Sequence, residues 1–439
     1  MSTPRLFCES EMIPAPRSAT AEVTPGAPRL LEADRKQLRL GTIDLEASLA
    51  ADHRARAMWD AVGQLDLSVY YAAIEARGSS PGRPAIDPKI LLSLWLYATS
   101  EGVGSARQVA RLCERDDAYR WICGGVSVNH HTLSDFRVAR QEALDDLLTQ
   151  VLAVMMRQGL VTLKRVAQDG MRVRASAGAA SFRREGSLKD CLKQARAQVE
   201  RTKAEMERPD VQRSAREQAA AERAVREREE RVQRALAELP KAREAKDSEK
   251  ARENARVSTT DAEARVMKMA DGGFRPGYNV QLATDTESRV IVGVTLTNVG
   301  SDGSQLEPML ADVERRTGRT PEQYLVDGGF TKLEAIENAS ERGVEVYAPP
   351  PTPRKEGVDP YKAKATDSAA VAQWRERMGT PEAKEIYKHR ASTAESVNAD
   401  LRHWRRLDKL PVRGHRKVLA LVLWAALAYN LARLYPRAP

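Results

Sequence analysis

Apolar residues along positions 50–160 recur every three or four residues, the spacing that buries one face of a helix. Asp87-Pro88 predicts a helix start, a capping aspartate followed by proline in the first turn, and Ile90, Leu91, Leu94 and Leu96 supply the apolar face. Gly102 and Gly104 predict its end. Ser105 reads as the cap of a second helix carrying Val109, Ala110 and Leu112, and Thr132 as the cap of a third that runs unbroken to Gly159. Residues 1–45 hold several prolines and no period, which predicts a loosely ordered N-terminal arm.

At Val161 the pattern changes. VTLKRVAQDG predicts a strand ending on Asp169. YNVQLATD (278–285) and VIVGVTLTN (290–298), separated by Thr286-Glu287-Ser288, predict a hairpin. A helix ended by Gly318 follows, then a short buried strand, QYLVDGG, that finishes on Asp327. A helix over 332–342, the strand VEVYAPP and further helices complete the order. That order is the one expected of an α/β, ribonuclease-H-like mixed sheet with acidic groups gathered at strand ends.

Residues 184–257 interrupt the sheet pattern and are rich in Arg, Glu, Ala and Lys. Leu188, Leu192, Ala195, Val199, Thr202 and Met206 step by four and three, the spacing of a coiled-coil seam. Pro209 breaks this run. A second helix carries Val225, Val232, Leu236 and Leu239, with Pro240 as its predicted end. A helical hairpin inserted into the sheet is predicted; it reads first as a solvated spacer, with subunit or DNA contact as the alternative, and its mixed charges argue against a dedicated basic clamp. The domain plan is therefore an arm (1–45), an all-α domain (46–160) and a sheet-bearing domain (161–439) holding the insertion (184–257).

Charge sharpens this picture. The 439 residues carry a formal charge of +9, which favours a polyanionic partner such as nucleic acid. Arginines at 107, 111, 115, 120, 137 and 140, on short helices joined by glycine turns, suit helix-turn-helix DNA binding; an ordinary bundle with charged outer faces fits the same pattern. Cys8, Cys113, Cys123 and Cys191 form no CxxC pair, which argues against a disulfide framework and for a reducing cytosol. The spacings of Cys113, Cys123, His130 and His131 match no common zinc finger. The N-terminus has no basic segment leading into an apolar run, so no signal peptide is predicted. Residues 418–431 form the most apolar stretch, which falls short of the ~20 residues a bilayer needs, so a buried core helix is predicted and no membrane partner.

The candidate chemistry lies in carboxylates. Phosphodiester cutting and rejoining is served by two divalent ions about 3.5–4 Å apart, and magnesium takes hard oxygen ligands. Acidic residues distant in sequence can converge at the ends of neighbouring strands, as Asp169 and Asp327 are placed to do. An aspartate beside glycine at a strand end is also a turn former. Glu395 closes the sequence Ser392-Thr393-Ala394-Glu395, which locally reads as a helix-capping box.

Three blocks carry a family resemblance. RPAIDPKILLSLWLYATSEGVGSARQVARLCERDDAYRWICGGVSVNHHTLSDFR resembles the N-terminal domain of bacterial insertion-sequence DDE (Asp-Asp-Glu) transposases, in particular the insertion sequence 1182 family. STTDAEARVMKMADGGFRPGYNVQLATD resembles the lead-in to that family's catalytic hairpin, and KLPVRGHRKVLALVLWAALAYNLARL its C-terminal helix. By this resemblance Asp169 in VAQDG is the first catalytic, metal-binding carboxylate and Asp327 in YLVDGGF the second, with Phe330 in the aromatic place after it. Tyr387, Arg390, Glu395 and Arg402 correspond to the third block: Glu395 as the third carboxylate, the others as DNA phosphate contacts. Four residues separate Arg390 from Glu395, and Arg402 stands where lysine is usual.

The resemblance implies an enzyme that binds the terminal inverted repeats of its element and cleaves and transfers DNA strands. It implies two Mg2+ ions with Mn2+ able to substitute, double-stranded DNA as partner, a homodimer in the active complex, and a bacterial cytoplasmic, nucleoid-associated location. A nuclease of the same fold and an inactive, DNA-binding repressor copy are the alternatives.

Overall fold

The computed structural model describes residues 44–76, 84–206, 214–353 and 356–434. The predicted arm, except Asp44 and Leu45, and Pro209 lie outside the described residues.

The helical period before Val161 becomes α1 (Arg54–Gly63), α2 (Ser68–Ala72), α3 (Pro88–Ser100), α4 (Ala106–Arg115), α5 (Asp117–Cys123), α6 (His130–Ala139) and α7 (Gln141–Arg157). Asp87 caps α3 by accepting the Lys89 amide at 2.8 Å, one residue before Pro88 in the first turn. Residues 90–98 of α3 are all buried, so this helix forms the centre of the region rather than one of its faces. The predicted third helix is two helices. Asn129, not Thr132, caps α6, its Oδ1 accepting the Thr132 amide at 2.9 Å. The chain then breaks at Arg140, whose backbone (φ −132°, ψ 65°) leaves the helical region and lets α7 start in a new direction.

The remaining elements are β1 (Arg165–Arg174), β2 (Phe182–Arg183), α8 (Glu185–Met206), α9 (Ala215–Glu244), α10 (Glu249–Glu253), β3 (Val257–Ser258), β4 (Arg265–Lys268), β5 (Phe274–Asp285), β6 (Ile291–Thr297), α11 (Leu306–Thr317), β7 (Gln323–Leu325), α12 (Leu333–Glu341), β8 (Glu345–Tyr347), α13 (Ala369–Gly379), α14 (Pro381–Ala399) and α15 (His415–Leu434). Six strands form one mixed sheet in the order β4-β5-β1-β7-β8, with β6 sharing the outer edge of β5 with β4. β1 runs antiparallel to β5 and parallel to β7, and β7 parallel to β8. This mixed α/β arrangement fits a ribonuclease-H-like domain.

Between β1 and β4, α8 and α9 pack along each other over a small core that includes Leu188, Ala235, Leu239 and Ala242. Where the chain enters and leaves this pair, β2 and β3 join as a two-stranded ribbon. Pro240 does not end α9, which continues to Glu244. Packing of Leu239 and Ala242 on either side of it offsets the single backbone hydrogen bond that proline removes.

α15 is 20 residues long, longer than the apolar run predicted, and by length and composition alone it could cross a membrane. In the fold it is a core helix: Val418 and all of residues 420–431 are buried. It packs on α3, α7 and β6, the Trp424 indole donating to the Arg137 carbonyl at 2.9 Å. Asn430 exchanges two hydrogen bonds with the Ile291 backbone, at 2.9 and 2.8 Å.

Candidate active site

The parallel ladder between β1 and β7 pairs residues 165–167 with residues 323–325 and stops there. Asp169 and Asp327 each stand two residues past the last pair. Because side chains alternate faces with a period of two, both aspartates leave adjacent strands on the same face, one pleat beyond the ladder. β1 itself does not end on Asp169. It continues to Arg174 because β5 keeps pairing with it, Asp169 lying opposite Leu282. At Asp327 the chain does turn: its Oδ1 accepts the Gly329 amide at 2.7 Å and opens a single 3-10 turn, Gly328–Phe330, anchored by the fully buried Phe330. Asp327 is thus a turn former whose second oxygen remains free for a partner.

That partner comes from α14, which packs across this face of β1. Arg390 Nη2 lies 3.3 Å from Asp169 Oδ1 and 3.4 Å from Asp327 Oδ2, so one guanidinium bridges the two carboxylates. Two turns along, Asn398 donates to Asp169 Oδ2 at 2.8 Å. Arg390, Ala394 and Asn398 form an i, i+4, i+8 stripe facing the sheet. Glu395 stands off that stripe, exposed and with no ion pair among the described residues. It lines a cleft of about 240 Å³ together with Asp169, Asn398, Arg402 and His403.

The capping-box reading of residues 392–395 does not hold. α14 starts far upstream, where Thr380 caps it by accepting the Ala383 amide at 3.1 Å. Ser392 is mid-helix, its hydroxyl donating to the His389 carbonyl at 3.2 Å, so the Glu395 carboxylate serves no cap. Past Ala399 the helix widens into a π-helical turn, Asp400–Trp404, which carries Arg402 and His403 into the cleft. Tyr387, three residues before Arg390, is half-buried against the core. Burial raises its pKa, Arg390 opposes the rise, and Asp327 and Asp169 add to it.

Burial also raises the pKa of Asp169. Arg390 and the Gly170 amide pull it down, while Asp327 and Asp302 push it further up. A guanidinium already spans the two aspartates, so the space between them suits a cation, and carboxylate oxygens are the ligands Mg2+ and Mn2+ take. Among the described residues no three His, Cys, Asp or Glu side chains converge on one metal position. Asp169 and Asp327 therefore fit a shared ion, with Glu395 across the cleft.

A cation held by this pair would be bound pH-dependently, because Asp169 is raised. A raised aspartate takes up its proton at a higher pH than an exposed one, so binding at the pair is lost as pH falls through that raised value. Arg390→Gln removes the largest influence holding the pKa down, and the acid limb of Mn2+ binding should move to higher pH, while Arg390→Lys should keep it near its original place. An acid limb that stays put in Arg390→Gln would uncouple the two residues.

The opposite face of the sheet explains Gly170. Asp302 accepts hydrogen bonds there from Asn279 and Gln281, each at 2.7 Å, and forms an ion pair with Arg172 at 2.7 Å. Gln168 joins the network, donating to Gln281 at 2.8 Å and accepting from the Tyr324 hydroxyl at 2.8 Å. A Cβ on Gly170 would run into the Asp302 carboxylate and lie 2.5 Å from the Gln281 amide. Glycine is needed here for close approach, not for a turn. Gly170→Ala should lower stability by about 1–3 kcal/mol through overpacking, measured by urea unfolding; an unchanged midpoint would mean the network yields without cost.

Sequence reasoning missed Asn398 and Asp302. Asn398 could have been found as the polar residue eight positions after Arg390, and the network as Asn279 and Gln281 alternating with Tyr278, Val280 and Leu282 in a buried strand.

Two family models match the chain. Residues 245–431 match a Transposase DDE domain, a stretch that includes Asp327, Tyr387, Arg390, Glu395 and Arg402 and begins after Asp169. Residues 43–139, the helical part, match a Transposase domain (DUF772). No curated protein and no solved structure matches.

Proposed function

We propose that this chain, which carries transposase domains over both its helical and its sheet-bearing parts, is the DDE transposase of a bacterial insertion sequence, related to the insertion sequence 1182 family. The observation that carries this reading is the pair Asp169 and Asp327, one pleat beyond a shared parallel ladder and bridged by Arg390. Residues 46–160 form the DNA-binding domain that recognises the element's terminal inverted repeats. Residues 161–439 form the catalytic domain, with 184–257 inserted in it.

Asp169, Asp327 and Glu395 would hold two magnesium ions, for which manganese can substitute. When bound, such ions make an oxygen nucleophile and stabilise the leaving oxygen of a phosphodiester. The chain's own residues prepare this site. Asn398 fixes the orientation of Asp169, and the Asp327 turn fixes the other carboxylate. Arg390 offsets one of their two negative charges and is a phosphate contact. Tyr387 and Arg402 are the other phosphate contacts. Joining two element ends calls for a homodimer, acting in the cytoplasm at the nucleoid.

Incubation with duplex DNA bearing the element's ends and Mg2+ tests the reading. Joined products are expected. Cleavage without joining would make the chain a nuclease, and intact DNA would leave it a binding protein.

A further inference from the structure

A second, larger cleft of about 520 Å³ is walled by the first turn of α4, by the length of α6 from His130 to Arg137, and by the loop that follows the π-helical turn. Its charged lining is entirely basic: Arg107, Arg137, Arg406 and Lys409, with His130 and His131 beside them, and no carboxylate. None of these four cations forms an ion pair among the described residues, although the protein holds many elsewhere. Arg137 is the telling one. It is 7% exposed, its Nη1 donates to the Gly104 carbonyl at 2.6 Å and its guanidinium lies over the Trp95 ring, yet its Nε has no partner. A buried cation without an acidic partner is costly unless an anion completes it.

Two further features point the same way. α4 presents its N-terminal end to the cleft, where the helix dipole favours negative charge. Arg406 is held at φ 63°, in the left-handed region that disfavours a side chain, and its side chain lines the cleft. The cleft is also continuous with the candidate active site along the chain: Arg402 and His403 line one, and Arg406 and Lys409, a few residues on, line the other.

We propose that this basic cleft is a second DNA-backbone site, gripping duplex phosphates along the path that leaves the carboxylates. It rests on the reading of the protein as a DNA-processing enzyme, but it assigns a separate grip to residues outside the carboxylate cleft. The contacts are to phosphate, so they set position and affinity rather than sequence.

The test is the salt dependence of duplex binding by the full chain, measured by fluorescence anisotropy without divalent cation, so that it reads the cleft whether or not cleavage occurs. Arg107 and Lys409 are exposed, and both side chains can be truncated without opening the core. The double variant Arg107→Ala/Lys409→Ala should reduce the slope of log affinity against log salt by about 2, near 0.9 for each phosphate no longer neutralised. The charge-preserving pair Arg107→Lys/Lys409→Arg should restore it. Arg201→Ala/Arg228→Ala, which removes the same charge from α8 and α9, should leave it unchanged. An unchanged slope in the first pair, an equal fall in the α8–α9 pair, or no restoration by the charge-preserving pair overturns the proposal. Loss of DNA cleavage with this pattern of slopes intact would fault the catalytic reading alone.

Discussion

Asp169→Asn and Asp327→Asn are each expected to reduce DNA strand cleavage by ~10³-fold or more, the ~4 kcal/mol equivalent of losing one anionic ligand of a metal that stabilises the transition state. Asparagine is the right replacement because it keeps shape and an oxygen acceptor. In Asp327→Asn the side-chain carbonyl could still accept the Gly329 amide that now bonds Asp327, so the 3-10 turn should survive. Each variant should therefore melt near the parent and still bind duplex DNA, with only the chemistry gone. Glu395→Gln should join them, since Glu395 faces the same cleft and has no cap or ion pair to lose. Strand transfer that survives in Glu395→Gln would remove that residue from the set and leave a two-aspartate site. Survival in Asp327→Asn would sink the assignment as a whole.

The second large effect is on stability. Arg316, 4% exposed on α11, donates at 2.8 Å to Asp312 and contacts Asp145 of α7. Asp312 in turn accepts the Val294 amide of β6 at 2.9 Å. This buried network ties the helical region to the sheet, and deleting its cation leaves two carboxylates to the half-exposed Arg315 alone. Arg316→Met should cost about 3 kcal/mol, the lower end of the range for breaking a buried pair. Arg315 moderates the loss because it reaches Asp145 at 2.8 Å and Asp312 at 2.6 Å from its half-exposed position. Adding Asp145→Asn and Asp312→Asn to Arg316→Met should recover part of the loss, because no buried charge then lacks a partner. Equilibrium urea unfolding reads both; a single variant within about 1 kcal/mol of the parent would show that the two regions cohere without this network.

Much of the fold was legible because its signals are local. The Asp87-Pro88 start, the hairpin around residues 286–288 and the end of α11 at Gly318 each depend on a few neighbouring residues and were read with little error. The mistakes arose where distant packing overrides a local signal. Gly170 reads as a strand breaker in sequence, but β5 holds it in the strand and Asp302 occupies the space a side chain would take. Residues 392–395 read as a cap because local sequence cannot reveal that a helix began at Pro381. Pro240 reads as a stop because what holds α9 together around it, the packing of Leu239 and Ala242 with Leu188 of α8, comes from dozens of residues away. The aspartate pair was visible as two acid-glycine strand endings. Asn398 was not, since one polar residue on a polar helix face looks the same whether it meets water or Asp169. Nor was the basic cleft, whose cations come from segments some 300 positions apart.

The burial of α15 has a consequence for how the chain is made. Trp424 seals the helical region by bonding the Arg137 carbonyl, 287 residues earlier. A ribosome adding 5–20 residues per second needs roughly 15–60 s to cover that interval. Throughout it, the faces of α3 and α7 that α15 will cover stay bare. A chain cut short before α15 would keep those apolar faces uncovered.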